Sequence, residues 1–346
     1  MKTSEFVSLG HPDRIADYIS EYLLNVYVAG DPDVRYAVEC QIKGNHVSLA
    51  GEITKKCETA YLPIMVERAL AEIGYTKEYC DFWGKENTIN PDELVVSDYI
   101  TEQSPDIACG VNKDAWGDQG IFWGCAYPTP DYLPTDYSIA RKLNNYLYNL
   151  SQKEKTIGLD IKTQITVDDN NNVSKLIVAA PCKTEDKQKL FNYVADFART
   201  NNINCESIIN GTGEYIKHAS VADCGTTGRK LAVDFYGGGC FIGGGAITTK
   251  DGTKADLSLN LYARTLAVNY LRKHPDVNAP IFVQIACCIG RPEIIVSIRD
   301  CHLNEIESYE EVRRPSELIA YYKLNKPVFT ELMRDGLAAY AIKGEI

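Results

Sequence analysis

The sequence predicts an α+β protein built from three pseudo-repeated β-β-α-β units packed together. Three observations carry that expectation. Apolar and polar residues alternate over 35–42 and 46–53, then switch to helical spacing over 63–73, and the same succession returns over 162–201. A period of two marks a half-buried strand, and one near 3.6 an amphipathic helix. No G-x-G-x-x-G opens a helix after a strand, and the element order is not that of a doubly wound parallel sheet. No low-complexity linker interrupts the chain, so the units, placed at 1–108, 109–222 and 223–346, are expected to pack closely.

In chain order, Gly10-His11-Pro12-Asp13 reads as a turn, because Pro12 fixes its own φ and restricts His11. A helix follows, with Ile15, Ile19, Tyr22, Leu23 and Val26 spaced for one buried face. His11, Asp13 and Arg14 then lie at its N-terminus, where free backbone N–H groups favour anions. Taken alone, Asp13 as the helix cap and His11 as a turn residue is the simpler reading. On strand 35–42, Val38, Cys40 and Ile42 face one way, Glu39 and Gln41 the other. Gly44-Asn45 turns the chain into strand 46–53, which ends in Gly51-Glu52-Ile53. Gly74 stops helix 63–73, residues 75–93 read as polar and irregular, and strand 95–101 runs into Gln103-Ser104-Pro105-Asp106-Ile107. Asp118 precedes an apolar run to Ala126, as a strand-edge carboxylate, a ligand contact or a turn cap.

The second unit has strands 162–167 and 173–180 around a turn, then helix 187–201. In the third, 231–236 reads as a strand, 254–273 as a helix, and 281–289 with 293–299 as a hairpin.

The 346 residues are 45% apolar and 24% charged, the make-up of an ordinary globular protein. A net charge of −11 argues against nucleic acid or an anionic membrane as partner. Any anion it binds must meet a local cluster of cations. The apolar run 281–289 is too short to cross a bilayer. The 12 cysteines are irregularly spaced without C-x-x-C, and the N-terminus lacks the apolar core of a signal peptide. The expectation is a cytoplasmic protein with reduced thiols.

Residues 223–256 concentrate the chemistry. A basic turn, Gly225 to Lys230, precedes two glycine triplets and then Lys250-Asp251-Gly252-Thr253-Lys254-Ala255-Asp256. Glycines admit close backbone approach, lysine and arginine match phosphate oxygens, and aspartates among them suit Mg²⁺ bound through carboxylates and phosphates. Read alone, the stretch is either a polyphosphate and metal site or a solvated glycine-rich loop.

The ordered set GHPDR, GEIT, QSPDI, GDQG, DCGTTGRK and GGGA with KDGTKAD resembles the motifs of S-adenosylmethionine synthetases (methionine adenosyltransferases), and identifies a divergent member. The resemblance implies attack of the methionine sulfur on C5′ of ATP, then hydrolysis of the triphosphate to phosphate and diphosphate. It implies that His11, Lys162, Arg229, Lys230, Lys250 and Lys254 surround the triphosphate. Asp160, Tyr215 and Ala246 would complete the ATP site, Tyr215 stacking on adenine where the family usually has Phe. Glu52, Gln103, Asp223 and Lys254 would hold methionine. Asp13 and Asp256 would bind Mg²⁺, two ions per site, and Glu39 K⁺. The family shape implies a homodimer or homotetramer, with sheets at the dimer interface and sites shared between subunits. A non-catalytic subunit of the same fold and a tripolyphosphate hydrolase are the alternatives. Arg14 stands for the usual Lys, the segment 214–219 for a glycine-rich RFVIGGP-like one, and Cys240-Phe241-Ile242 stands where an Arg-His pair is common.

Overall fold

Three four-stranded sheets organise the chain, for which the computed structural model describes residues 1–54, 62–103 and 114–343. Among the described residues the strands are β1 Lys2–Val7, β2 Tyr36–Lys43, β3 His46–Ile53, β4 Val95–Glu102, β5 Gly120–Ala126, β6 Lys162–Val167, β7 Val173–Ala179, β8 Glu206–Ile209, β9 Gly225–Thr226, β10 Ile281–Cys287, β11 Glu293–Arg299 and β12 Glu305–Val312. The α+β class is as expected from the sequence.

Two sheets repeat one plan. In the order β4-β3-β2-β9, β2 and β3 form an antiparallel hairpin and β4 returns parallel to β3. In the order β1-β6-β7-β8, β6 and β7 form the hairpin and β8 returns parallel to β7. The third sheet, β12-β11-β10-β5, is antiparallel throughout.

Several local expectations need correction. Residues 2–7 form a strand because Lys2–Val7 pairs antiparallel with Val167–Lys162, a partner invisible in the local pattern. Within 75–93, Thr76 caps a helix, Lys77–Trp83, by accepting from the Tyr79 N–H at 3.2 Å. Leu231–Asp234 is a helical turn rather than a strand; the Lys230 carbonyl accepts from the N–H groups of Val233 (3.0 Å) and Asp234 (2.9 Å). A short apolar run does not distinguish the two by periodicity. Helix Thr135–Glu154 and β12 had no sequence expectation.

One face of each sheet is covered by a helix: Pro12–Gly30 packs on β2 and β9, Thr135–Glu154 on β1 and β6, Ala255–Lys273 on β5 and β10. Helix Pro12–Gly30 buries Ile15, Ile19, Leu23 and Leu24 completely, each worth about 1.5–3 kcal/mol of removal from water. Its buried face differs from the expected stripe, since Val26 is exposed while Asp17, Ser20 and Glu21 are buried. The opposite faces of the sheets point outward. Ile121, Ala286 and Ile295 lie in one row across the third sheet, and the two isoleucines are 52% and 56% exposed.

Candidate functional site

The site starts where β1 ends. Ser8 ties that end to the segment before β6: its hydroxyl donates to the Leu159 carbonyl at 2.5 Å and accepts from the Ile161 N–H at 2.9 Å. Gly10 follows, and a Cβ there would fall 2.3 Å from the Leu159 carbonyl oxygen, so only glycine permits this approach. His11 is the N-cap of helix Pro12–Gly30, with Nδ1 accepting from the Asp13 N–H at 3.1 Å and Pro12 in the first turn. Capping therefore falls to His11 rather than to Asp13. Burial, with Lys162 and Lys230 next in effect, lowers the His11 pKa to about 2. The imidazole is neutral, its Nδ1 is occupied as an acceptor, and Nε2 carries the proton. It joins the basic residues as a hydrogen-bond donor, not as a cation.

With the cap supplied elsewhere, the Asp13 carboxylate is free for other partners. It accepts from the Thr226 N–H at 3.0 Å and from Lys230 at 2.5 Å, with Arg229 Nε at 3.6 Å. Gly225 brings the basic turn this close; a Cβ on it would meet the Pro12 carbonyl oxygen at 2.0 Å. Lys162 opens β6 opposite Val7 and is exposed.

Beneath Asp13 lies a buried ionic group that sequence reasoning missed. Arg14 pairs with Asp234 and, at 3.3 Å, with Asp17. Asp17 also accepts from the Gly228 N–H at 2.9 Å and the Thr248 hydroxyl at 2.8 Å, and Glu21 from the Thr249 N–H at 2.6 Å. Burial pushes the carboxyls of Asp17, Asp234 and Glu21 upward, and Arg14 opposes this. The available signal was Asp17 and Glu21 sitting among Ile15, Ile19 and Leu23 on a helix, since unpaired acids are rarely buried.

The second basic segment is stitched to the first by these same groups. Asp17 joins Gly228 to Thr248, and Glu39 on β2 receives the hydroxyls of Thr227 and, at 3.3 Å, Thr249. Ala246 packs against Gly228. Lys250 pairs with Asp256 at 2.5 Å, and the other Asp256 oxygen accepts from the Gly245 N–H at 2.8 Å. Lys254 stands 3.8 Å from Asp251, whose carboxylate also accepts from the Tyr36 N–H at 2.8 Å. Among the described residues no hydrogen bond or ion pair joins Asp13 directly to Asp256. The two segments share one scaffold and present separate carboxylate–lysine pairs.

The remaining candidates surround this frame. Asp160 is buried, accepts from the Ala219 N–H at 3.0 Å on Oδ2, and leaves Oδ1 without a partner. Burial raises its pKa to about 6. The half-buried Tyr215 donates its hydroxyl to the Asp160 carbonyl at 3.3 Å. Glu52 faces Ala37 and Thr101 across the sheet, two residues along from Glu39's row with Ala50 and Tyr99. Gln103 continues past β4, its N–H on the Ile53 carbonyl at 2.8 Å. Asp223 is exposed at the end of helix Ala219–Ala222, and Asp118 is exposed just before β5. Ser104 to Ile107 of the QSPDI motif lie outside the described residues.

The donors suit hard cations. Asp13 and Asp256 are single carboxylates beside lysines, and no group of three His, Cys, Asp or Glu able to hold a metal alone occurs among the described residues. A divalent ion there would need phosphate or water oxygens as well, the usual habit of Mg²⁺. Glu39 with the hydroxyls of Thr227 and Thr249 is an all-oxygen set. No helix among the described residues is long and apolar enough to cross a membrane.

Comparison with known proteins agrees along the whole chain. Models of the S-adenosylmethionine synthetase N-terminal, central and C-terminal domains match residues 1–109, 113–215 and 218–339. The chain is 31% identical to an S-adenosylmethionine synthase of Clostridium tetani, over 95% of this chain and 91% of that one. It is 33% identical to one of Thermus thermophilus, again over 95% and 91%. Among solved structures it is similar to an S-adenosylmethionine synthetase from Campylobacter jejuni described as unusual, with TM-score 0.86, 30% identity, and coverage of 98% of this chain and 94% of that one.

Proposed function

This chain belongs to the S-adenosylmethionine synthetase family, and on that premise we propose that it makes S-adenosylmethionine from ATP and L-methionine by direct displacement at C5′. The sulfur lone pair forms the S–C5′ bond, the C5′–O bond breaks, and its electron pair leaves with the triphosphate. Water then adds across one P–O–P link to give phosphate and diphosphate. Sulfur needs no general base, so the barrier lies in charge gathering on the leaving triphosphate. Donors already aimed at that charge carry the catalysis, each worth about 3–4 kcal/mol in comparable sites.

The single observation behind this reading is the shared scaffold on which Asp17 and Glu39 hold the turn Gly225–Lys230 against the segment Thr248–Lys250. Lys162, Arg229, Lys230, Lys250 and Lys254 supply positive charge, and His11 Nε2–H a neutral donor to the leaving oxygen. Glu52, Gln103 and Asp223 bind methionine, and Asp160, Tyr215 and Ala246 the nucleotide. Asp13 and Asp256 would hold Mg²⁺, leaving Lys230 and Lys250 beside the phosphates, and Glu39 would hold K⁺. When bound, these ions neutralise phosphate charge. The division at 1–108, 109–222 and 223–346 is supported by the bounds of the three matching domain models.

The outward row Ile121, Ala286 and Ile295 supports a homodimer closed through sheet faces, with a homotetramer as the alternative assembly. A dimer gives the Asp13 and Asp256 pairs a route to one site, each from a different subunit. The cytoplasm is the proposed location.

Purified protein with ATP, methionine, Mg²⁺ and K⁺ is expected to yield S-adenosylmethionine by chromatography. Phosphate release without methionine dependence would point to a tripolyphosphate hydrolase, and silence in both assays to a non-catalytic subunit. Lys254→Ala is expected to abolish synthesis while the protein stays folded; near-normal activity would remove the triphosphate assignment.

A further inference from the structure

We propose that Tyr79 and His218 are positioning residues for the nucleoside end of ATP: a buried hydrogen-bonded relay through them fixes Asp160 and Tyr215 relative to each other. The inference rests on the functional reading above and names residues that reading does not use.

Tyr79 and His218 come from distant parts of the chain and are 2% and 0% exposed. The Leu159 N–H donates to Tyr79 Oη at 3.0 Å, Tyr79 Oη lies 2.7 Å from His218 Nε2, and His218 Nδ1 lies 2.7 Å from the Ile216 carbonyl. The directions follow from the partners. A carbonyl only accepts, so Nδ1 carries the imidazole proton. Nε2 is then an acceptor, and the Tyr79 hydroxyl must donate to it while receiving the Leu159 N–H. One neutral arrangement satisfies all four groups, and burial favours the neutral ring, lowering its pKa to about 4.

The two ends of the relay are the neighbours of the nucleotide residues. Leu159 precedes Asp160, and Ile216 follows Tyr215. Two further bonds close the frame: the Ala219 N–H reaches Asp160 Oδ2 at 3.0 Å, and the His218 N–H reaches the Asn87 carbonyl at 2.8 Å. Ala219 is held at φ 56°, a region that favours glycine. Relatives are expected to carry a glycine-rich segment here, so in this chain the imidazole provides contacts that a glycine lacks. Trp83 packs edge-on against the ring at 5.0 Å. What the frame holds steady is Asp160 Oδ1, buried and unpartnered, an acceptor that a nucleoside N–H or O–H can satisfy.

Tyr79→Phe removes one oxygen and keeps the ring, leaving both the Leu159 N–H and His218 Nε2 without a partner. Steady-state kinetics of the full chain is expected to show KM for ATP rising about ten-fold, with KM for methionine within about two-fold of the parent. His218→Gln, which keeps an acceptor for Tyr79, is expected to fall between parent and Tyr79→Phe. ATP dissociation constants by calorimetry, read beside melting temperatures, are expected to move in the same order. A rise in both KM values together, or a lower melting temperature with unchanged ATP affinity in both variants, would overturn the positioning role. A parent protein that binds ATP but makes no product would instead count against the proposed reaction, and the calorimetric comparison would still judge this inference.

Discussion

The site contains the same ion pair twice in different surroundings. Asp13–Lys230 and Asp256–Lys250 both close at 2.5 Å. The first is sunk in the protein, with side chains 2% and 18% exposed for aspartate and lysine; in the second they are 27% and 21% exposed. Asp13 takes a backbone N–H, a lysine and a nearby arginine, and sits above the Arg14–Asp17–Asp234 group. Asp256 takes one backbone N–H and one lysine. A carboxylate buried as fully as Asp13 is stranded when it loses its lysine, whereas one about a quarter exposed, like Asp256, can hand the loss to water. The first pair should therefore couple activity to stability, and the second should report on activity alone.

The largest expected effect lies beneath the first pair. Arg14→Met leaves Asp17 and Asp234 buried without their guanidinium and is expected to destabilise the fold by about 3–5 kcal/mol, measured by denaturant unfolding. If Arg14→Met unfolds like the parent, the buried group is not what distinguishes the two halves.

Next, Lys230→Ala and Lys250→Ala are each expected to lower kcat by about 10²–10³-fold. Only Lys230→Ala should also lower the melting temperature, and adding Asp13→Asn should recover stability without recovering turnover. Equal thermal losses in both lysine variants would erase the contrast.

A smaller effect depends on pH. His11, with its pKa held near 2, should contribute no limb to the rate profile near neutrality. Asp160 titrates near 6 in the folded chain. Between its ordinary value of 3.8 and that point the folded state binds more protons than the unfolded one, so this group's contribution to stability falls as pH rises. A nucleoside donor to Oδ1 favours the ionised form, so KM for ATP is expected to rise as pH drops through about 6. Asp160→Asn should flatten that dependence; an unchanged slope in the variant would separate Asp160 from the nucleotide.

The smallest expected effect is a control. Lys77–Asp92 is a lysine–aspartate pair with both side chains more than half exposed. Lys77→Ala should leave turnover and melting temperature unchanged, showing that pairing without burial carries neither function nor fold.

Much of this was legible locally. The β2–β3 and β6–β7 hairpins announce themselves through alternation, and Gly74 ends its helix as glycine should. The six short motifs contain most of the candidate residues, though not Glu39, Asp160, Lys162 or Tyr215, because turns, caps and phosphate-binding loops are made by contiguous residues. The stretch 231–236 was misread for the converse reason, whereas helix Lys77–Trp83 was overlooked although its Thr76 cap is a local signal. Leu231–Asp234 turns helical where Asp234 is drawn to Arg14, a partner far away in the chain. The assignment of Asp13 as cap failed because the helix begins at Pro12, which puts Asp13 inside the first turn with its own N–H capped by the imidazole two residues earlier.

By itself the sequence determined the α+β class, the family, and the residue types available for charge stabilisation, since those depend on period, composition and short-range spacing. Only the tertiary structure decided that His11 is neutral, that β1 completes a sheet begun at β6, and that Asp17 and Glu39 bind two basic segments into one frame. Each of those depends on burial or on contact between residues far apart in the chain, and neither is written in the order of neighbours.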